Sequence, residues 1–340
     1  MIAIHGEFMS QPSPDVAESF TSMVNGVRAG DRRALAKAIT LVESLRPGDR
    51  AQAEALLRAL LPSPAVSLRI GLSGPPGVGK STFIEAFGTT LTQAGHKVAV
   101  LAVDPSSRRS GGSILGDKTR MELLSRNPAA FIRPSPAGGE LGGVARRTRE
   151  SIALVEAARY DRVLVETVGV GQSEVAVADM TDLFVLLIAP AGGDELQGVK
   201  RGIMELADII LVTKADGDTR AAALRQVADV SAGLMFMTPR VAGWQVPVIP
   251  VSALQGDGMD KAMAAITAFV THTGKSFASR RSAQDVIWLW QEFKAMLMER
   301  VLGDKRLAGL ASKVEEDVRR GTQSATAGAR MLLEALERQG

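Results

Sequence analysis

The sequence contains no cysteine and only three histidines, His5, His96 and His272, which are scattered along it. Disulfide bonds and thiolate metal sites are thereby excluded, and an imidazole cluster for a transition metal has no basis. The missing cysteine says nothing by itself about compartment. No apolar run approaches the roughly 18 uncharged residues that a transmembrane helix needs. The N-terminal MIAIHGEFMSQPSPD lacks the basic region and long apolar stretch of an export signal. The expectation is a cytoplasmic protein with no membrane association. Net charge is +3 over 340 residues, with both signs dispersed, so nothing supplies the basic patch that binding to nucleic acid would require.

What is present is a globular composition, 46% hydrophobic and 23% charged. The length favours one domain of roughly 200 residues with smaller additions at its ends, able to fold without a metal. Residues to about Ser10 read as an untidy terminus, with Met9 as an alternative start. Apolar residues at helical spacing then run from Val24 to Leu60 (Leu35, Ile39, Val42, Leu45, Leu56), and Pro47-Gly48 predicts a break between two helices. From Val66 the pattern changes to short apolar runs at 68–72, 98–103, 163–168, 183–188, 209–212 and 248–251, alternating with amphipathic stretches. Continuous apolar runs of this kind are what a parallel sheet covered on both faces requires. The expected fold class is α/β, with a doubly wound, mostly parallel sheet over residues 66–273, a helical extension over 1–65 and a helical region over 274–340. HTGKSFASRR, residues 272–281, reads as a polar, basic linker. Beyond it, Val286, Leu289, Trp290, Phe293, Leu297 and Val301 form one helical stripe. Trp288 stands about 200° from Trp290 around such a helix, so the second ring lies either on a protein interface or under a neighbouring segment. Two short helices are expected near 307–319 and 327–338.

The pattern G-x-x-x-x-G-K-[ST] occupies Gly74, Gly79, Lys80 and Ser81, after the strand-like SLRIGLS and at the start of the helix-like STFIEAFGTTL. This marks a P-loop NTPase. In the loop Gly74-Pro75-Pro76-Gly77-Val78-Gly79-Lys80-Ser81-Thr82, glycines let backbone amides converge on phosphate, and the helix N-terminus adds partial positive charge. Lys80 is the candidate contact for the β- and γ-phosphates, and the Ser81 hydroxyl for Mg²⁺. The bland alternative is a glycine-rich turn that binds nothing. A dinucleotide-binding GxGxxG fits less well, because the loop is longer and its lysine would have no purpose.

Two carboxylates follow later strands: Asp104 in VDPSS and Glu166 in ETVGVGQ. Ligands of open parallel sheets bind at the carboxyl ends of strands, which makes both candidates for the metal or the attacking water, with helix capping as the alternative. Glu166-x-x-Gly169 stands where GTPases usually carry D-x-x-G, so the Gly169 amide is a candidate γ-phosphate contact. Thr213-Lys214-Ala215-Asp216 follows another strand, as the guanine-reading N-K-x-D does, with threonine in place of asparagine. The Asp216 carboxylate could accept N1–H and N2–H of guanine, which adenine cannot offer. Ser252-Ala253-Leu254 corresponds to the S-A-x that contacts the base through its backbone.

Taken together, GPPGVGKST (74–82), AVDPSS (102–107), GGSILGDKTRM (111–121), FIRPSP (131–136), LGGVA (141–145), ETVGVGQSE (166–174) and GGDELQGVK (192–200) resemble the MeaB/ArgK family, which includes the human methylmalonic aciduria type A protein. The resemblance runs from about residue 30 to 300. It implies a homodimeric GTPase that binds GTP or GDP with Mg²⁺ and acts as a chaperone for adenosylcobalamin-dependent methylmalonyl-CoA mutase or a close relative, with a cobalamin adenosyltransferase as a further partner. In the family pattern Lys80 and Ser81 serve phosphate and metal, Asp104 and Glu166 the metal and the water, and Asp117 lies in a switch. Residues 192–200 resemble a third switch, with Lys200 the stimulatory residue; the alternative is a plain loop with Asp194 capping a helix and Glu195 in its first turn. Rival readings are a nickel-inserting GTPase, for which the ligands are missing, a transport-associated ATPase or kinase of the ArgK type, and a nucleotide-binding subunit without hydrolysis.

Overall fold

The computed structural model describes residues 14–44, 46–61, 67–103, 121–134, 141–167, 173–190, 201–274 and 276–338. Two compact units make up the chain, Met1–Phe277 and Ala278–Gly340. In the first, α1 (Pro14–Arg28), α2 (Arg32–Glu43) and α3 (Pro47–Leu60) precede the sheet. The expected pair of helices is thus a trio. Gly30, at φ +76°, ends α1, and Asp31 at once caps α2 by accepting the Ala34 N–H at 2.7 Å. A left-handed residue followed by a capping carboxylate closes one helix and opens the next.

Seven parallel strands follow: β1 (Leu68–Ser73), β2 (Val98–Val103), β3 (Ala130–Arg133), β4 (Arg162–Thr167), β5 (Leu183–Ile188), β6 (Ile209–Val212) and β7 (Val248–Pro250), in the spatial order β3-β2-β4-β1-β5-β6-β7. Six match the predicted runs; β3, only four residues long, is the addition at the sheet edge. Between and after the strands lie α4 (Lys80–Gln93), α5 (Glu122–Arg126), α6 (Leu141–Ala157), α7 (Ser173–Ala178), α8 (Arg201–Met204), α9 (Arg220–Leu234) and α10 (Met259–Thr273).

Side chains alternate across the sheet, as the two-residue period of a strand demands. Ala99, Leu101, Val103, Val163, Val165 and Phe184 join one core with α1–α3 and α6. Val98, Val100, Leu164, Val185 and Leu187 join another with α4 and α10. The N-terminal helices therefore share the core of the sheet. Connections leave β1 toward β2 and β5 toward β6 in opposite directions, which puts a topological switch point, the usual ligand crevice, at the carboxyl ends of β1 and β5.

The second unit holds most of α11 (Ser276–Gly303), with α12 (Lys305–Arg319) and α13 (Ala325–Glu337). The segment expected to be a linker is largely helical, since α10 runs to Thr273 and α11 starts at Ser276. Leu307, Ala311 and Val314 are buried, and Gly328 lets α13 approach Val314. The stripe expected on α11 faces solvent: Val286, Leu289, Trp290 and Phe293 are each more than half exposed. Trp288 is the more buried ring, and its indole N–H donates to Glu292 Oε1 at 3.1 Å. Among the described residues no helix is long and apolar enough to cross a membrane.

Candidate functional site

Strand β1 delivers the chain into the crevice at Gly74, whose φ is +156°. A Cβ there would stand 2.3 Å from the Leu187 carbonyl oxygen of β5, so only glycine lets the loop pass its neighbour. Gly79, at φ +96°, caps α4 without any side chain to occupy the first N–H groups of the helix. Those N–H groups and the helix dipole make a ready anion site. Val78 is buried beneath the loop, whereas Pro76 and Gly77 lie at its exposed tip.

Lys80 is folded back onto this loop. Its Nζ donates to the Gly74 carbonyl at 2.7 Å and the Pro75 carbonyl at 3.2 Å, and only 8% of the residue is exposed. Burial pushes the ammonium below the ordinary lysine range, while the charges of Glu166 and Glu174 work in the opposite direction. A phosphate would give this desolvated cation the anionic partner that the loop carbonyls supply only in part. Ser81 is half-buried and Thr82 exposed at the start of α4.

Register carries Glu166 to the crevice, beside Leu72 of β1 on one side and Ala102 of β2 on the other. The residue is buried, and the next one, Thr167, donates to Ser73 Oγ at 2.8 Å, tying β4 to β1 just below the loop. Glu174, in the first turn of α7, is also buried and acts on Lys80 through its charge. Sequence reasoning gave it no role, although it closes the ETVGVGQSE motif.

On the other flank of the loop, Thr213 follows β6. Its backbone N–H donates to the Ile188 carbonyl at 2.8 Å. The hydroxyl donates to the Val78 carbonyl at 2.7 Å and lies 3.2 Å from the Ile188 carbonyl. The side chain thus points at the phosphate loop. Three residues on, the Asp216 carboxylate accepts the Ser252 hydroxyl, which in turn accepts the Gln255 N–H at 3.1 Å. Lys214 is left-handed at φ +54°, held by Thr219, whose hydroxyl donates to the Lys214 carbonyl at 2.5 Å. Ala253 is half-buried and Leu254 82% exposed beside this pair. The fold therefore gathers residues 74–82, Glu166, Thr213–Asp216 and Ser252–Leu254 at the carboxyl edge of neighbouring strands. Asp104, Asp117, Gly169 and Lys200 lie outside the described residues.

Comparison with known proteins agrees with this arrangement. Residues 35–306 match the family model described as methylmalonyl Co-A mutase-associated GTPase MeaB. The mouse mitochondrial methylmalonic aciduria type A homolog is 45% identical over 320-odd residues, covering 93% of this chain and 79% of its own length. GTPase ArgK of Escherichia coli is 44% identical, covering 93% of this chain and 96% of its own. Among solved structures, the crystal structure of an LAO/AO transport system kinase is 36% identical, spans 94% of this chain and 98% of its own, and superposes with a TM-score of 0.74. The chain belongs to the MeaB family of GTPases and hydrolyses guanosine triphosphate.

Proposed function

We propose that this GTPase is a chaperone of adenosylcobalamin-dependent methylmalonyl-CoA mutase, or of a close acyl-CoA mutase, gating delivery of the cofactor and protecting the enzyme from inactivation. The observation that carries the reading is the family match, which spans the nucleotide domain and continues into the C-terminal helices. A cobalamin adenosyltransferase is the further partner we assign to the delivery step. The exposed apolar stripe of α11 supports a homodimer formed through residues 274–340.

In this reading Lys80 leaves the Gly74 and Pro75 carbonyls for the β- and γ-phosphates, and the amides of residues 75–82 cradle them. Ser81 and Glu166 offer hard oxygen donors, and among the described residues no cluster of three or more His, Cys, Asp or Glu could hold a metal alone. That donor set fits an ion shared with phosphate oxygens. Ser81, Asp104, Asp117 and Glu166 would hold Mg²⁺, which neutralises phosphate charge when bound. Glu166 also orients the attacking water, the Gly169 amide senses the γ-phosphate, and Lys200 responds to the client. Asp216, oriented by Ser252, reads guanine, with Ser252-Ala253-Leu254 along the base. Thr213 braces the loop.

Turnover of GTP by the purified protein should rise when the mutase is added, and Lys80→Ala should abolish the rise. A mutase without effect on the rate, or wild-type hydrolysis in Lys80→Ala, would refute the proposal. The name of the structurally similar transport system kinase favours a second reading, a transport-associated ATPase. Competition of ATP against GTP separates the two, since the Asp216–Ser252 pair suits guanine.

A further inference from the structure

Helix α7 descends along β1, away from the carboxyl edge of the sheet. Just past its end, the Asp182 carboxylate accepts the Arg69 N–H at 2.8 Å, and the Asp182 N–H donates to the Arg69 carbonyl at 2.9 Å. Two residues up the strand the approach is so close that a Cβ on Gly71 would stand 2.9 Å from Val177 Cγ1 and 2.8 Å from Thr181 Oγ1. Only glycine admits the helix there. Glu174 precedes Val177 by three residues and so lies on the same face of α7. Three residues of helix rise about 4.5 Å, against about 3.3 Å for each residue of strand, which brings Glu174 level with the end of β1. Helical side chains lean toward the N-terminus of their helix, here toward the carboxyl edge of the sheet and Gly74.

That edge is where Lys80 Nζ is held, 2.7 Å from the Gly74 carbonyl. Burial is the larger influence on Lys80 and disfavours its ammonium form, while the charges of Glu166 and Glu174 favour it. Glu166 is assigned to the metal and the water. Glu174, only 4% exposed, has no such assignment. A buried carboxylate is costly to keep beside a loop that must admit a polyanion. Without nucleotide it stabilises the Lys80 ammonium. Once phosphate is bound, Lys80 has another anionic partner, and the carboxylate and the phosphate repel each other. Both effects oppose binding.

We propose that Glu174 tunes nucleotide release: its buried negative charge, placed by α7 at the end of β1, weakens the hold of the phosphate loop on GDP and GTP. The proposal rests on the assignment of Lys80 to the phosphates. Glu174→Gln keeps the shape and removes the charge, so GDP binds about tenfold more tightly, the size expected of one unit charge acting over several ångströms at an effective dielectric constant near 20. The gain appears as slower dissociation. Glu174→Asp keeps the charge and stays near wild-type affinity. Salt screens buried charges little, so the difference between Glu174→Gln and wild type persists from low to high salt.

The test measures fluorescent GDP affinity and dissociation in wild type, Glu174→Gln, Glu174→Asp, Glu174→Met and Lys80→Met, with thermal unfolding to establish that each is folded. Glu174→Met, uncharged and of similar length, takes the place of Glu174→Gln should that variant not fold. A purely structural role gives the opposite sign, since a loosened site binds more weakly. Unchanged or weaker GDP binding in the folded neutral variant, beside a large loss in Lys80→Met, overturns the proposal and leaves the Lys80 assignment standing. Wild-type GDP affinity in Lys80→Met overturns both. Equal tightening in Glu174→Asp, or a gain that vanishes at high salt, also overturns it, because neither follows from a buried charge.

Discussion

Replacing Thr213 by valine keeps the shape of the side chain and removes one hydroxyl. The Ile188 carbonyl still receives the residue's backbone N–H at 2.8 Å, whereas the Val78 carbonyl loses the donor that stood 2.7 Å away. A buried acceptor deprived of its partner costs about 1–3 kcal/mol, equivalent to a factor of roughly 5–150 in an equilibrium constant. Val78 lies inside the phosphate loop, so the loss is felt where the loop must hold its shape. GDP and GTP should both bind Thr213→Val more weakly by about thirtyfold, at the middle of that range. Thr213→Ser should restore both, and the preference for GTP over ATP should not move. Fluorescent nucleotide titration with ATP, GTP and GDP as competitors measures all of these. If guanine preference collapsed while affinity for GDP held, residue 213 would be a base reader and the bracing argument would be wrong.

Lys80→Met should eliminate hydrolysis and also change how the nucleotide-free protein responds to pH. Because burial holds the Lys80 pKa below its unfolded value, the native state binds fewer protons across that gap, and stability rises with pH from the lowered value up to the ordinary lysine range. Thermal unfolding followed across that range should show this rise in wild type and a smaller one in the variant; parallel curves would refute the assignment. Gly74→Ala should cost about 1–3 kcal/mol in urea denaturation and abolish nucleotide binding, since the new methyl meets the Leu187 carbonyl. Asp208 accepts the Phe184 N–H at 2.8 Å and pairs with Arg240 at the opposite end of β6 from Thr213. Asp208→Ala should therefore destabilise the protein by about 3 kcal/mol while GDP affinity, measured on the folded fraction, is retained.

Much of the sheet was legible because its strands are buried on both faces and read as unbroken apolar runs. β3 escaped because AFIR holds only three apolar residues before Arg133 and Pro134 interrupt it, too short an apolar run to separate from a loop. The α1–α2 boundary turned on Gly30, a single left-handed residue within an otherwise periodic stretch. Composition misjudged residues 272–281: basic, polar residues suit an exposed helix as well as a linker. The stripe of α11 was correctly periodic, yet periodicity cannot tell whether a covering partner lies within the same chain.

By itself the sequence determined the P-loop, the family and the α/β class, since each depends on residues that are contiguous or on a pattern that repeats locally. It could not determine which distant groups meet. Thr213 reaches Val78 and Ser252 reaches Asp216 only because strand order and register bring separate stretches to one edge of the sheet. The burial that moves the Lys80 pKa has the same origin. Tertiary structure decided those points because hydrogen bonds and desolvation act over a few ångströms of space, whatever the distance along the chain.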